Sequence, residues 1–296
     1  MKKTNIYYLI AILLSGFIFQ SCEEDIDIDL NSDQQKRLVL YGYLTTDTMK
    51  HELQLTYTAD YFFNKPPVPA NNSVVKVVEY DDAGLQYPTG RIIEYEEVPE
   101  KDGTYITKNI IYAIEKKYYK LTAEVTAADI QGTYEAVSYC PPINRDDDFH
   151  IELEFQEDWG KDGYFEVKVW YQDPPSQNWY LFNIYKNGIL LTDTLDQKQV
   201  SDDTFYNGSN TNGVGVGYLN QSKEREKVYP GDTIVFQAGS VTEEYAIFMW
   251  EAQEEINFGS PLFDGPPANI SSNISNGAFG FFAVFSTNYA GTTYNP

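Results

Sequence analysis

VVKVVEY, Val74–Tyr80, followed by the turn signal Asp82-Ala83-Gly84, sets the fold class. Its apolar side chains recur at every second position, the period at which a half-buried strand presents one face to a core. ELQLTYT at residues 52–58 and the segments 38–44, 104–111, 119–125 and 133–139 repeat the pattern, punctuated by Asp102-Gly103 and Gln131-Gly132. Short alternating segments between turn signals predict a mainly β chain, beginning with a sandwich of immunoglobulin-like or transthyretin-like form over residues 36–145.

The run PPINRDDD, residues 141–148, joins two prolines to a charge cluster that a strand does not readily accommodate, so a domain boundary is expected there. A second β-rich domain is read over residues 146–296. Within it YFEVKVWY (164–171) alternates, and residues 179–185 and 189–192 flank Asn187-Gly188 as the arms of a hairpin. Further strands are expected at 232–238 and 279–285. SVTEEYAIFMWEAQEEIN, residues 240–257, breaks the period and predicts the one amphipathic helix. Ser240 and Glu243 form a capping box, Tyr245, Phe248, Met249, Ala252 and Ile256 form an apolar stripe, and Gly259 and Pro261 follow the end. Such a stripe ordinarily packs on the core.

Residues 1–21 read as a signal peptide. Lys2 and Lys3 precede the uncharged apolar run IYYLIAILLSGFIF, residues 6–19, which is short for a bilayer-spanning helix. Ser21-Cys22 gives the small-residue-then-cysteine ending of a bacterial lipobox, with Phe19 where an aliphatic residue is usual. Cys22 is therefore the expected lipidation site, and its acyl chains supply more than the two signals needed for stable anchoring. Residues 22–35 form an acidic tether. Glu23, Glu24 and Asp25, with Asp27 and Asp29, resemble the export signal of lipoproteins displayed on the outer face of the Bacteroidota outer membrane.

Loss of Lys2 and Lys3 from 21 basic residues leaves 19 against 44 acidic ones, a formal charge of −25 on the processed chain. Nucleic acid is excluded as an expected partner, since no basic footprint larger than KEREK (223–227) occurs. Once Cys22 is acylated only Cys140 remains, so no intramolecular disulfide is expected and Cys140 is read as reduced and buried.

No catalytic residue, cofactor-binding motif or metal site is assigned. GxSxG, HExxH and CxxC are absent, and His51 and His150 are the whole histidine complement. His51 is read as a solvated strand edge. Gly213-Val214-Gly215-Val216-Gly217 lacks the spacing of a dinucleotide loop and reads as a strand or bulge. Asp146–Asp148 and Asp202-Asp203 read as solvated loops rather than calcium ligands. Asp-Thr-apolar triplets place expected O-glycosylation at Thr48, Thr194 and Thr233.

Taken together, LVLYGYLT (38–45), Ala59-Asp60-Tyr61, VVKVVEYDDAG (74–84), GTYEAVSYCPPI (132–143), YPGDTIVFQAGSVTEEYAIFMW (229–250) and PPANISSNISNGAFGFFAVFS (266–286) resemble a family of Bacteroidota surface lipoproteins. That family is described as a domain of unknown function and is often encoded beside TonB-dependent outer-membrane receptors. The resemblance implies lipid anchoring, a location on the outer membrane facing the exterior, and a TonB-dependent receptor as protein partner. It carries no catalytic residue. The expected function is a non-enzymatic binding or accessory module. The alternatives are a glycan-directed hydrolase using paired carboxylates and a surface adhesion protein.

Overall fold

The computed structural model describes residues 36–58, 67–127, 130–256 and 270–296. Cys22, the signal and tether segments, Ala59-Asp60-Tyr61, Gly259 and Pro261 lie outside the described residues. Residues 36–296 form one compact unit, mainly β.

The first seven strands are β1 (Leu38–Thr45), β2 (Glu52–Tyr57), β3 (Val74–Tyr80), β4 (Pro88–Glu97), β5 (Thr104–Thr107), β6 (Tyr118–Val125) and β7 (Gly132–Tyr139). They follow the hydrogen-bonded order β1-β2-β5-β4-β3-β6-β7. Burial alternates in β2, where Leu53, Leu55 and Tyr57 are buried, and in β3, where Val75 and Val77 are, whereas β5 stops at Thr107, short of the strand expected to residue 111, and does not alternate. The inward residues from both ends of this path, Leu40 and Leu55 at one and Val77 and Leu121 at the other, meet in a single core. The path curls back on itself to make that possible.

The second half adds β8 (His150–Gln156), β9 (Tyr164–Trp170), β10 (Trp179–Lys186), β11 (Ile189–Leu190), β12 (Gln199–Asp202), β13 (Val214–Asn220), β14 (Thr233–Val241) and β15 (Phe279–Thr293). β13, β9 and β8 form a separate three-stranded sheet. The others extend the large sheet in the order β11-β10-β14-β15-β1, with β12 also on β10. The Asn187-Gly188 hairpin is present, both residues at positive φ.

β15 joins the halves. Its first part pairs parallel with β1, and its second part pairs antiparallel with β14. Its buried run Phe281–Phe285 has no alternation because both faces are covered. Phe282 and Val284 complete the first core, whereas Phe281, Ala283 and Phe285 meet the helix. Residues 141–148 run from the first core, which holds Cys140, to a second core, which holds Ile143 and Ile151, within one compact unit.

The helix, α1, spans Glu243–Ile256. The expected Ser240–Glu243 capping box does not form, because Ser240 is still in β14, registered against Tyr180 and Ser286. Thr242 caps instead, its Oγ1 accepting from the Tyr245 amide at 3.3 Å. Tyr245, Phe248, Met249 and Ala252 are buried as the stripe predicts, with the Tyr245 and Phe248 rings 5.3 and 5.2 Å from Phe281. Ile256 is exposed. Among the described residues no helix is long and apolar enough to cross a membrane.

Candidate functional site

Between the three-stranded sheet and the β10–β14 part of the large sheet lies the second core, built from Val167, Val169, Ile184, Ile234 and Phe236 among others. The two layers come close because β13 carries a bulge between Gly215 and Gly217. A Cβ on Gly217 would stand 2.0 Å from Ile184 Cδ1, so any larger residue there requires the tip of the Ile184 side chain to shift. The glycine run therefore belongs to a bulged strand, as its spacing implies.

Toward one end this core opens into a cavity of about 410 Å³. Strand alternation delivers its wall: Tyr180 and Phe182 from one face of β10, Phe236 and Ala238 from one face of β14, and Val169 with the following Tyr171 from β9. Five of its lining rings touch one another in a closed circuit. Centroid separations run Phe149–Tyr171 5.5 Å, Tyr171–Tyr180 5.8 Å, Tyr180–Phe182 6.0 Å, Phe182–Phe236 5.2 Å and Phe236–Phe149 6.2 Å.

The polar end holds two buried carboxylates. Tyr180 Oη donates to Asp173 Oδ1 at 2.5 Å and the Gly208 amide donates to Asp173 Oδ2 at 3.2 Å. The Asn178 amide donates to Asp203 Oδ2 at 2.8 Å, while Asp203 Oδ1 is buried with no hydrogen-bond partner. Burial raises the Asp173 carboxyl above the usual range, against the two donated hydrogen bonds, and the Asp203 charge adds to the rise. Burial likewise pushes the Tyr171 and Tyr180 hydroxyls upward. Asp203 is 3 % exposed, so the expectation of a solvated Asp202-Asp203 loop is corrected at Asp203. Asp202 ends β12 opposite Trp179 rather than lying in a loop, is half-buried, and accepts from the Thr204 hydroxyl.

The remaining sequence candidates are dispersed. His51 is 2 % exposed rather than a solvated edge. The turn after β1 folds over it, and its Nε2 lies 3.1 Å from Thr45 Oγ1. Thr45 in turn donates to Asp47 Oδ2 at 3.0 Å, so Thr45 presents no proton for His51 to remove and Asp47 does not orient the imidazole. Asp47 also accepts from Thr287 and Tyr289 of β15, making this cluster a polar clasp between the first and last strands. His150 is exposed and stacks on Trp170 at 4.9 Å. Cys140 is buried, and burial raises its thiol far above the reactive range. Thr48, Thr194 and Thr233 are all exposed. Among the described residues no three His, Cys, Asp or Glu side chains gather to hold a metal ion.

Asp173 and the five-ring wall escaped the sequence reading, and Asp203 was read only as a solvated loop, because these residues come from five separate segments. The one local signal was the density of aromatics at alternate positions in residues 164–185. The assembled features define a two-core β protein with one packed helix and an aromatic cavity between its sheets. The chain belongs to the family described as domain of unknown function DUF4249, which matches residues 23–289. No curated protein matches the chain.

Proposed function

We propose that this protein is a non-enzymatic binding module, anchored by lipid on Cys22 to the outer membrane, facing the exterior and assisting a TonB-dependent receptor. The observation that carries the binding role is the aromatic cavity: concave, apolar and furnished with a few fixed polar groups, the form of small-molecule sites in general. The anchoring role is supported by the lipobox ending at Cys22 in the sequence. Anchoring confines the module to the receptor's own surface, where even a weak contact gains from high effective concentration. Exposed Thr48, Thr194 and Thr233 are sterically open to the expected O-glycosylation.

A glycan hydrolase is the second reading, since Asp173 and Asp203 line the same cavity. Three of their four oxygens already accept hydrogen bonds from the protein, an arrangement that holds the carboxylates in place rather than freeing them for proton transfer. Adhesion by strand addition at β7 is disfavoured. The Glu135 amide and carbonyl pair with Ser275, and Asn273 and Asn276 donate to the Val137 and Thr133 carbonyls.

Affinity capture of the tagged full chain from outer membranes solubilised in non-ionic detergent tests the accessory role. A TonB-dependent receptor is expected to co-purify stoichiometrically. Recovery of the chain alone, after crosslinking in intact cells, contradicts it.

A further inference from the structure

A second concave space lies on the other face of the large sheet. Tyr180 and Phe182 of β10 turn toward the inter-sheet cavity, whereas Leu181 of the same strand packs in the cluster under α1. On that helix side Val39, Tyr41, Leu195, Phe248, Ile270 and Phe279 line a groove of about 540 Å³. Its wall is apolar. Tyr41 brings a ring stacked on Phe248 with centroids 6.2 Å apart, and its hydroxyl is already engaged with Tyr245 Oη at 3.1 Å.

Asp193 and Lys198 complete the lining, and they differ in how their charges are met. Both Asp193 oxygens accept from Arg225, at 2.9 and 2.6 Å, so that carboxylate is matched by its own guanidinium. Lys198 forms no ion pair among the described residues. Its Nζ donates to the neutral Asn183 Oδ1 at 3.3 Å, an acceptor shared with the Thr192 hydroxyl at 2.9 Å. An ammonium group carries three protons, so two of these have no acceptor among the described residues. Lys198 borders the inter-sheet cavity as well as the groove, but Asn183 alternates with Phe182 and Ile184 along β10, which places the ammonium end on the helix side. Burial lowers the Lys198 pKa against the opposing pull of Asp193, so the positive charge is held at a cost that a bound anion would offset. Arg37, whose guanidinium stands 5.1 Å over the Phe279 ring of the wall and makes no ion pair among the described residues, adds positive charge beside the groove.

We infer that this groove binds a free single-chain fatty acid, its carboxylate accepting from Lys198 Nζ and its alkyl chain lying along Tyr41, Phe248, Ile270 and Phe279. The apolar wall alone would admit any hydrophobe of suitable size, and the unpaired ammonium is what selects an anionic head. The inference goes beyond the binding role of the inter-sheet cavity and does not rest on it, since the two spaces lie on opposite faces of β10.

Octanoate and octylammonium share a chain length and differ in head-group charge. Calorimetric titration of the full chain in non-ionic detergent at pH 7, with detergent alone as the blank, is expected to show octanoate binding at least about tenfold more tightly than octylammonium. Lys198→Met keeps an apolar stem and removes the ammonium, and is expected to lower octanoate affinity at least about tenfold, whereas Lys198→Arg keeps the charge and is expected to retain affinity within about threefold. Val39→Phe narrows the groove without touching Lys198 and gives a second test should Lys198→Met fail to fold, lowering octanoate affinity severalfold. Equal affinity for the two amphiphiles overturns the assignment, as does unchanged octanoate affinity in Lys198→Met or the absence of octanoate binding to the unaltered chain. The receptor capture experiment judges the accessory role independently of all three results.

Discussion

Gly280 of β15 lies opposite Leu40 of β1 in their parallel pairing, and a Cβ on Gly280 would stand 2.0 Å from the Leu40 carbonyl oxygen. Its φ of +96° is one that other residues rarely adopt. The seam between the two halves is closed at this contact. Gly280→Ala is therefore expected to destabilise the protein by about 3 kcal/mol or more, combining backbone strain with a parted strand pair. Denaturant unfolding followed by tryptophan fluorescence, which reports residues 159–250, and by far-ultraviolet circular dichroism should move to lower midpoints together, because β15 contributes to both cores and to the cluster under the helix. A change below about 0.5 kcal/mol contradicts this account of the seam.

Much of the β architecture is legible in local pattern. VVKVVEY and ELQLTY announce strands because one face of each meets a core and the other meets water. The helix is legible for the same reason at a different period. Its first residue is not, since nothing local reveals that β14 pairing holds Ser240 and leaves Thr242 to cap. β15 is half legible: the aromatic run is plain, but its service to two cores depends on partners more than 200 residues away in sequence. His51 and Asp203 were misplaced for a related reason. Burial of a lone polar residue is decided by which distant turn folds over it, and short-range spacing holds no record of that.

His51 gives the protein an acid sensitivity. Burial lowers its imidazole from 6.5 to about 4, against the opposing pull of the Asp47 charge. The unfolded chain takes up a proton as pH falls through 6.5, whereas the folded chain resists until about 4. The unfolded state binds more protons over that window, so stability is full above it and is lost on acidification, by about 3 kcal/mol in all. His51→Gln should flatten the stability curve between those pH values, measured by urea unfolding in a series of buffers. Superimposable curves for the two proteins would show that His51 titrates normally.

The cavity predicts an asymmetry between two buried alanines. Ala238 borders open space, so Ala238→Leu should change stability by less than about 1 kcal/mol or raise it slightly. Ala123 is fully buried in the close-packed first core, where Ala123→Leu should cost about 1–3 kcal/mol by overpacking. Equal penalties at the two sites in thermal unfolding would indicate that the space beside Ala238 is not open.

Lipidation is tested at one atom. Cys22→Ala removes the sulfur that carries the diacyl group, and the variant is expected to lose labelled palmitate and to leave the detergent phase for the aqueous phase. Retention of both label and detergent partitioning would place the anchor elsewhere in the chain.

The most direct measurement of the central proposal is uptake, by intact cells, of a labelled ligand of the TonB-dependent receptor captured with this protein. Four strains are compared: wild type, a deletion, Cys22→Ala, and Ala238→Phe to block the cavity. A surface-anchored binding module predicts reduced initial uptake in all three altered strains at low ligand concentration, with recovery as ligand approaches saturation. Uptake indistinguishable from wild type in all three, with the receptor present at normal abundance, would contradict it.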